Sequence, residues 1–365
     1  MVFVCNITEK TTFDPVNIAI YIRRSIPAAI PVQDFFSDHV LPALLNEHRE
    51  HAVFLFLDDD IELVNQSKST GALTVVRLPA ARSAFRQLGW YYVKFPELLK
   101  TMRINALVSV NAIMRPGSVR QTVYFENDLA LLRSVKTRTL KNVRRLVAGS
   151  QWVANRITLP GKAEQNLLEI VPRGLLSGYE EIDGAQRSAV RDAFTAGRNY
   201  FLYAGELNHA LLNVVRAFSI FKKRQKSEWK LVLTGRGSGP ADPFVKSLQH
   251  YKYRDDLILV TTPTPAQLRQ LVDAAYAMVY TTGQLPLLAA ESFYAGVPVI
   301  APDEDVFTRL AGAAAMYYEK SGPTPIAENM MTLYKDENLR ARMIAAGRAI
   351  AAGYSWTPTV EALIR

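Results

Sequence analysis

The stretch Ala274–Ile300, AAYAMVYTTGQLPLLAAESFYAGVPVI, admits few folds. Ala277–Tyr280 is a short apolar run that reads as a buried strand. Thr281, Thr282, Gly283 and Gln284 are turn formers, and a helix is predicted from near Pro286, where a fixed φ suits a first turn. Leu287, Leu288, Ala290, Phe293 and Tyr294 give that helix a face to bury. Gly296 suits a left-handed C-terminal cap, and Val297–Ile300 restarts as a strand. Strand, loop, helix, glycine and strand make a parallel βαβ unit. Such folds hold ligands at the strand's carboxyl end, where the helix begins. Glu291 is the only carboxylate between Asp273 and Asp303; it falls one turn into the helix, on the side opposite much of the apolar face.

The same unit recurs along the chain. Strands are predicted at Val16–Ile22, Val53–Leu57, Leu73–Leu78, Ala106–Val110, Thr122–Phe125 and Leu146–Ala148, and again at Tyr200–Ala204, Lys230–Thr234 and Leu257–Val260. Helices are predicted over Phe85–Arg103, Leu211–Lys223 and Glu337–Ala352. Alternation over 365 residues implies an α/β protein with two doubly wound domains. The polar helical stretch Gly184–Arg198 precedes the second series, so the division is set at residues 1–180 and 181–340, with 341–365 as a C-terminal helix.

The central stretch resembles the donor-site motif of glycosyltransferase family 4 (glycosyl transferases group 1), which reads roughly E-G-F-G-x-P-x-L-E-A-M-x-C-G-x-P-V-I. Leu285, Pro286, Glu291, Ala295, Gly296, Val297, Pro298, Val299 and Ile300 keep its shape. YFLYAG, FSIFKKRQKSEWKLVLTGRG, YKYRDDLILV and GYSW are similar to segments of the same family, so the resemblance spans nearly the whole chain. It implies the GT-B fold, two Rossmann-like domains facing across a cleft, with the last helix crossing back to the first domain. It implies transfer from a nucleotide-diphosphate sugar, with no tightly bound cofactor or metal, to a glycan or lipid-linked acceptor in polysaccharide or cell-envelope synthesis. It places Gly205, Glu206, His209, Gly235, Arg236, Gly283, Leu285 and Glu291 around the donor, with Glu291 on the ribose hydroxyls. Asn127 and Asp128 stand where the family often carries a His-Asp pair on the acceptor side.

Four departures from the pattern fall on that ring. No glycine occurs before Gly71, so no glycine-rich loop follows the first strand. Asn127 replaces the histidine and cannot titrate. The family's first glutamate has no counterpart, because Thr281 to Ala290 contain no acid. Glu206 follows Gly205 where an arginine is expected, and no lysine or arginine intervenes before Arg216. One preorganised donor on a departing diphosphate is worth about 3–4 kcal/mol, so losing two cations costs on that order twice over. His209, if protonated, and Arg236 are the remaining cations that lie in sequence near this ring.

Charge and cysteine usage narrow the rest. The single cysteine, Cys5, excludes a disulfide framework, and no Cys/His spacing indicates zinc. His39, His48 and His51 read as structural. No apolar run reaches membrane-spanning length, and MVFVCNITEKTT lacks the basic start and apolar core of a secretory signal. The expectation is a cytoplasmic protein, peripheral at most at the inner face of a membrane. The net charge is +9, and Arg133, Lys136, Arg138, Lys141, Arg144 and Arg145 form a run without an acid. That run reads as a solvated helix face or as a surface for anionic lipid or a phosphate-bearing acceptor; nucleic acid is disfavoured for want of interleaved aromatics.

Three functions fit these residues. One is a glycosyltransferase-like protein with lost or much reduced catalysis that serves as a binding or partner subunit. A second is a working transferase with a rearranged donor site. The third is a basic scaffold that docks to a membrane or polymer. Glu291 also has a bland reading, a helix-surface acid, and Asn127-Asp128 that of an ordinary turn.

Overall fold

The computed structural model describes residues 16–22, 39–47, 51–58, 73–78, 93–110, 112–125, 140–155, 157–159, 161, 165–236, 243–284, 286, 288–319 and 322–364. The chain divides into two compact units, whose described residues are 16–172 with 357–364, and 173–356. Each is a parallel Rossmann-like sheet with helices, as the strand–helix alternation implies.

In the first unit the strands are β1 (Asn17–Ile22), β2 (Ala52–Asp58), β3 (Leu73–Leu78), β4 (Ala106–Val110), β5 (Arg120–Phe125), β6 (Val143–Ala148) and β7 (Leu168–Ile170). They lie in the order β3-β2-β1-β4-β5-β6-β7, all parallel. The described helices are α1 (Leu41–Glu47), α2 (Phe95–Thr101) and α3 (Gln151–Ala154). Apolar side chains on both faces of β1 explain its central place, since an interior parallel strand is covered on both sides. Phe95 anchors α2 by meeting Tyr21 at 5.7 Å and Phe56 at 5.6 Å between ring centres. His51 is buried and its Nδ1 accepts the Val16 N–H, consistent with the structural reading of that histidine.

The second unit contains α4 (Gly184–Thr195), β8 (Tyr200–Glu206), α5 (Leu212–Gln225), β9 (Lys230–Arg236), α6 (Pro243–Leu248), β10 (Leu257–Thr261), α7 (Pro265–Asp273) and β11 (Ala277–Val279). It continues through α8 (Ala289–Tyr294), β12 (Val299–Pro302), α9 (Asp305–Ala311), β13 (Ala315–Tyr318), α10 (Pro323–Lys335) and α11 (Glu337–Ala351). The sheet order is β10-β9-β8-β11-β12-β13. Capping boxes start α4, from Asp183 and Gln186, and α7, from Thr264 and Gln267. At Thr357 the chain rejoins the first unit as α12 (Thr357–Ile364), which packs against β4 and β5.

Three local expectations need correction. The helix predicted from Pro286 begins at Ala289, with Pro286 O accepting the Ala289 N–H one turn earlier. The strand predicted from Val297 begins at Val299, because the Val297 N–H donates to Ser292 O and still closes the helix. The basic run is no helix face where it is described: Arg144 and Arg145 lie on β6, whose apolar positions are buried. Arg133, Lys136 and Arg138 lie outside the described residues.

β8 and β9 carry Gly205 and Gly235 as register partners. A Cβ on Gly235 would stand 1.7 Å from Gly205 O, and its φ of +140° is one that side-chain-bearing residues avoid. Gly235→Ala is therefore expected to lower unfolding free energy by at least about 3 kcal/mol or to abolish soluble expression. Chemical denaturation of the two proteins measures it.

Candidate functional site

Sheet order in the second unit reverses between β8 and β11, and ligands of doubly wound sheets bind outside the strand ends at such a switch point. The residues there are Gly205 to His209, at and beyond the end of β8, and Tyr280 to Gln284 after β11. Gln284 fills the space over Gly205: a Cβ there would lie 2.7 Å from Gln284 Nε2 and 2.7 Å from the Tyr203 hydroxyl. Gln284 Nε2 donates to Ala204 O at 2.6 Å, and its Oε1 accepts from Thr281 N at 3.0 Å. The Gly283 N–H, at a φ of +75°, donates to the Glu304 carboxylate at 3.3 and 3.4 Å. Tyr203 donates to Glu206 O; burial first, then the Glu206 charge, pushes its phenol up to about 12 against an opposing hydrogen bond with Thr281.

The expected cations are thin here. His209 stands exposed in the 3-10 turn before α5, its ring edge-on to Phe244 at 6.2 Å. Asn208 caps that turn through the Ala210 N–H and donates to the Glu206 carboxylate, which is exposed. Arg236 ends β9 as the register partner of Glu206. Leu285, Asn127 and Asp128 lie outside the described residues, as does the segment that would carry an early loop after β1.

Glu291 is fully buried, which overturns the reading of it as a helix-surface acid. Ala289, Ala290, Ser292 and Phe293 around it are buried too, so α8 has no solvated side at that turn. Its carboxylate accepts a fork from Arg173, with Nη1 to Oε1 at 2.6 Å and Nη2 to Oε2 at 3.2 Å. Oε1 also accepts the Leu176 N–H at 3.0 Å. Arg173 in turn donates to Gly174 O, and its side chain is 11% exposed. The other side of this segment is held by Trp356, whose Nε1–H donates to Leu175 O at 2.7 Å and whose ring leaves Gly174 no room for a Cβ.

Sequence reasoning missed Arg173. The available signal was a lone carboxylate on an apolar helix, which a buried site must pair with a cation from elsewhere. The pairing spans 118 residues, so no local spacing pointed to the partner. Arg173 gives this site a positive charge, but one matched by Glu291. Among the described residues no three His, Cys, Asp or Glu side chains gather as metal ligands, and no helix is long and apolar enough to cross a membrane.

Comparison with known proteins agrees with this architecture. Residues 187–350 match the family model described as Glycosyl transferases group 1. The fold is similar to a glycosyltransferase from Rickettsia africae ESF-5, at 10% identity and a TM-score of 0.73, covering 96% of this chain and 97% of that one. It is similar to Anabaena HepE in complex with UDP and glucose, at 14% identity, TM-score 0.70, and coverage of 94% and 97%. WaaG, a glycosyltransferase involved in lipopolysaccharide biosynthesis, has 14% identity, TM-score 0.68, and coverage of 95% and 99%. No curated protein matches the sequence. The chain is a glycosyltransferase-like protein of the GT-B fold, with a Glycosyl transferases group 1 domain in its second unit.

A second buried acid lies behind the site. Asp273, at the end of α7, is 4% exposed, accepts a backbone hydrogen bond from Glu180, and has no partner at Oδ1 among the described residues. Burial, reinforced by the Glu180 charge and opposed by that hydrogen bond and Arg269, raises its pKa to about 7 from 3.8. A raised acid favours folding fully below pH 3.8, and that contribution is lost progressively as pH rises to about 7. Asp273→Asn is expected to match the parent near pH 4 and to exceed it above pH 7 by up to about 4 kcal/mol, read from urea unfolding across that range.

Proposed function

We propose that this chain is a GT-B protein in which sugar transfer is lost or much reduced, and which serves as a binding or partner subunit. The observation that carries the reading is the carboxylate of Glu291. In the resemblance that position holds the ribose of a nucleotide-sugar donor; here Arg173 and the Leu176 N–H occupy it. The diphosphate end supports the same reading. A phosphate-binding loop offers backbone N–H groups and cations. The Gly283 N–H instead serves Glu304, Gln284 is spent on Ala204 O, and Glu206 adds a further negative charge.

A working transferase would require Arg173 to leave Glu291 when the donor binds. Uncoupling one partner of a buried pair typically costs about 3–5 kcal/mol, which a donor would have to offset before any contact counted. That cost supports the silent reading.

Purified full-length protein is expected to show no turnover of UDP-, GDP- or ADP-sugars and no change in Tm with UDP or GDP. A ligand that binds the native state at a hundred times its Kd would add about 2.7 kcal/mol and be plain in such a scan. Arg173→Gln is expected to lower Tm yet gain a nucleotide-dependent shift. Turnover by the parent protein that disappears in Glu291→Gln would overturn the proposal.

A further inference from the structure

At the pole of the first unit where β4 and β5 begin, a cavity of ≈ 490 Å³ lies between α2 and the turn before β5. That is the end of the sheet opposite a switch-point site. Its volume falls in the range of small-ligand pockets, about 300–1,000 Å³. Lys100, Arg103, Asn105 and Ser118 line it, with Glu97 as the one acid in the lining. Asn105 Oδ1 accepts the Asn17 N–H at 2.9 Å, which leaves its NH2 end as a donor. Lys100 and Arg103 are exposed, and neither side chain has an ion-pair partner among the described residues. Arg115 and Arg120 flank the turn on either side, also exposed.

Arg103 also has a backbone role, as Ala196 and Lys226 do at the ends of α4 and α5. It follows α2 as the left-handed residue of a helix-ending motif, with Arg103 N to Lys100 O at 3.1 Å and Ile104 N to Leu99 O at 2.9 Å. Its φ is +52°, a place where glycine is the usual choice and a side chain costs stability.

We propose that this cavity binds a phosphate-bearing ligand, with Arg103 and Lys100 on the phosphate oxygens and Asn105 and Ser118 as neutral donors. Guanidinium and ammonium groups beside neutral donors suit a tetrahedral anion, since each charge-assisted bond is about twice as strong as a neutral one. The room left in the cavity accommodates the group that bears the phosphate. Nothing in this proposal depends on the fate of the switch-point site.

The test titrates the full chain with inorganic phosphate and glycerol 3-phosphate by calorimetry, beside flotation with phosphatidic acid and phosphatidylcholine vesicles. The expected result is saturable phosphate binding that weakens about tenfold in each of Lys100→Gln and Arg103→Gln and strengthens in Glu97→Gln, with Lys223→Gln, exposed on α5 of the second unit, unchanged. Arg103→Gly is expected to lose affinity while its Tm rises by a few degrees, a combination that a purely structural arginine would not give. Binding only to phosphatidic acid vesicles, lost in Arg103→Gln, would assign the phosphate to a lipid headgroup. Absence of binding to any probe, or an equal loss in Lys223→Gln, would overturn the site.

Discussion

A single buried ion pair sets the character of the second unit. Arg173 and Glu291 meet with almost no access to water, so neither charge is tolerable without the other. The pair also aligns the chain: through Leu176 N the carboxylate fixes the first residues of the unit, and Trp356 grips the same segment from its other side. Start and end of the second unit are thereby drawn together at α8. The carboxylate that the resemblance assigns to a ligand is engaged within the protein.

The switch-point loop follows the same logic. Thr281, Gly283 and Gln284 satisfy their hydrogen bonds within the protein, on Gln284, Glu304 and Ala204. A loop whose donors are already engaged gains little by meeting an anion. The scarcity of cations after β8 and the engaged donors of the loop after β11 both suit the proposed loss of sugar transfer.

Much of this fold was legible in the sequence because parallel strands announce themselves. Continuous apolar runs such as Tyr200–Ala204 must be covered on both faces, and the glycines that end them show where backbone comes close. Boundaries were less legible. The start of α8 slipped from Pro286 to Ala289, and Arg144 and Arg145 were read with a helical run although β6 carries them. Charge periodicity is a weak guide beside the burial of Val143 and Leu146. At the site, the residues of the switch point could be placed from the motif, whereas Arg173 could not. A contact closed by the path of the chain leaves no spacing to read. Nor does an ionisable side chain reveal from sequence whether its neighbours will leave it wet.

The return of residues 357–364 to the first unit has a consequence for biosynthesis. α12 buries Thr359, Val360, Ala362 and Leu363, and Thr359 Oγ1 donates to Pro172 O. On a ribosome, residues 173–356 emerge before this helix does. The earlier-made unit must therefore wait, with the apolar surface over β4 and β5 uncovered, until a later-made neighbour has been synthesised. Its completion is a matter of translation time, and whatever guards nascent chains has that interval to cover.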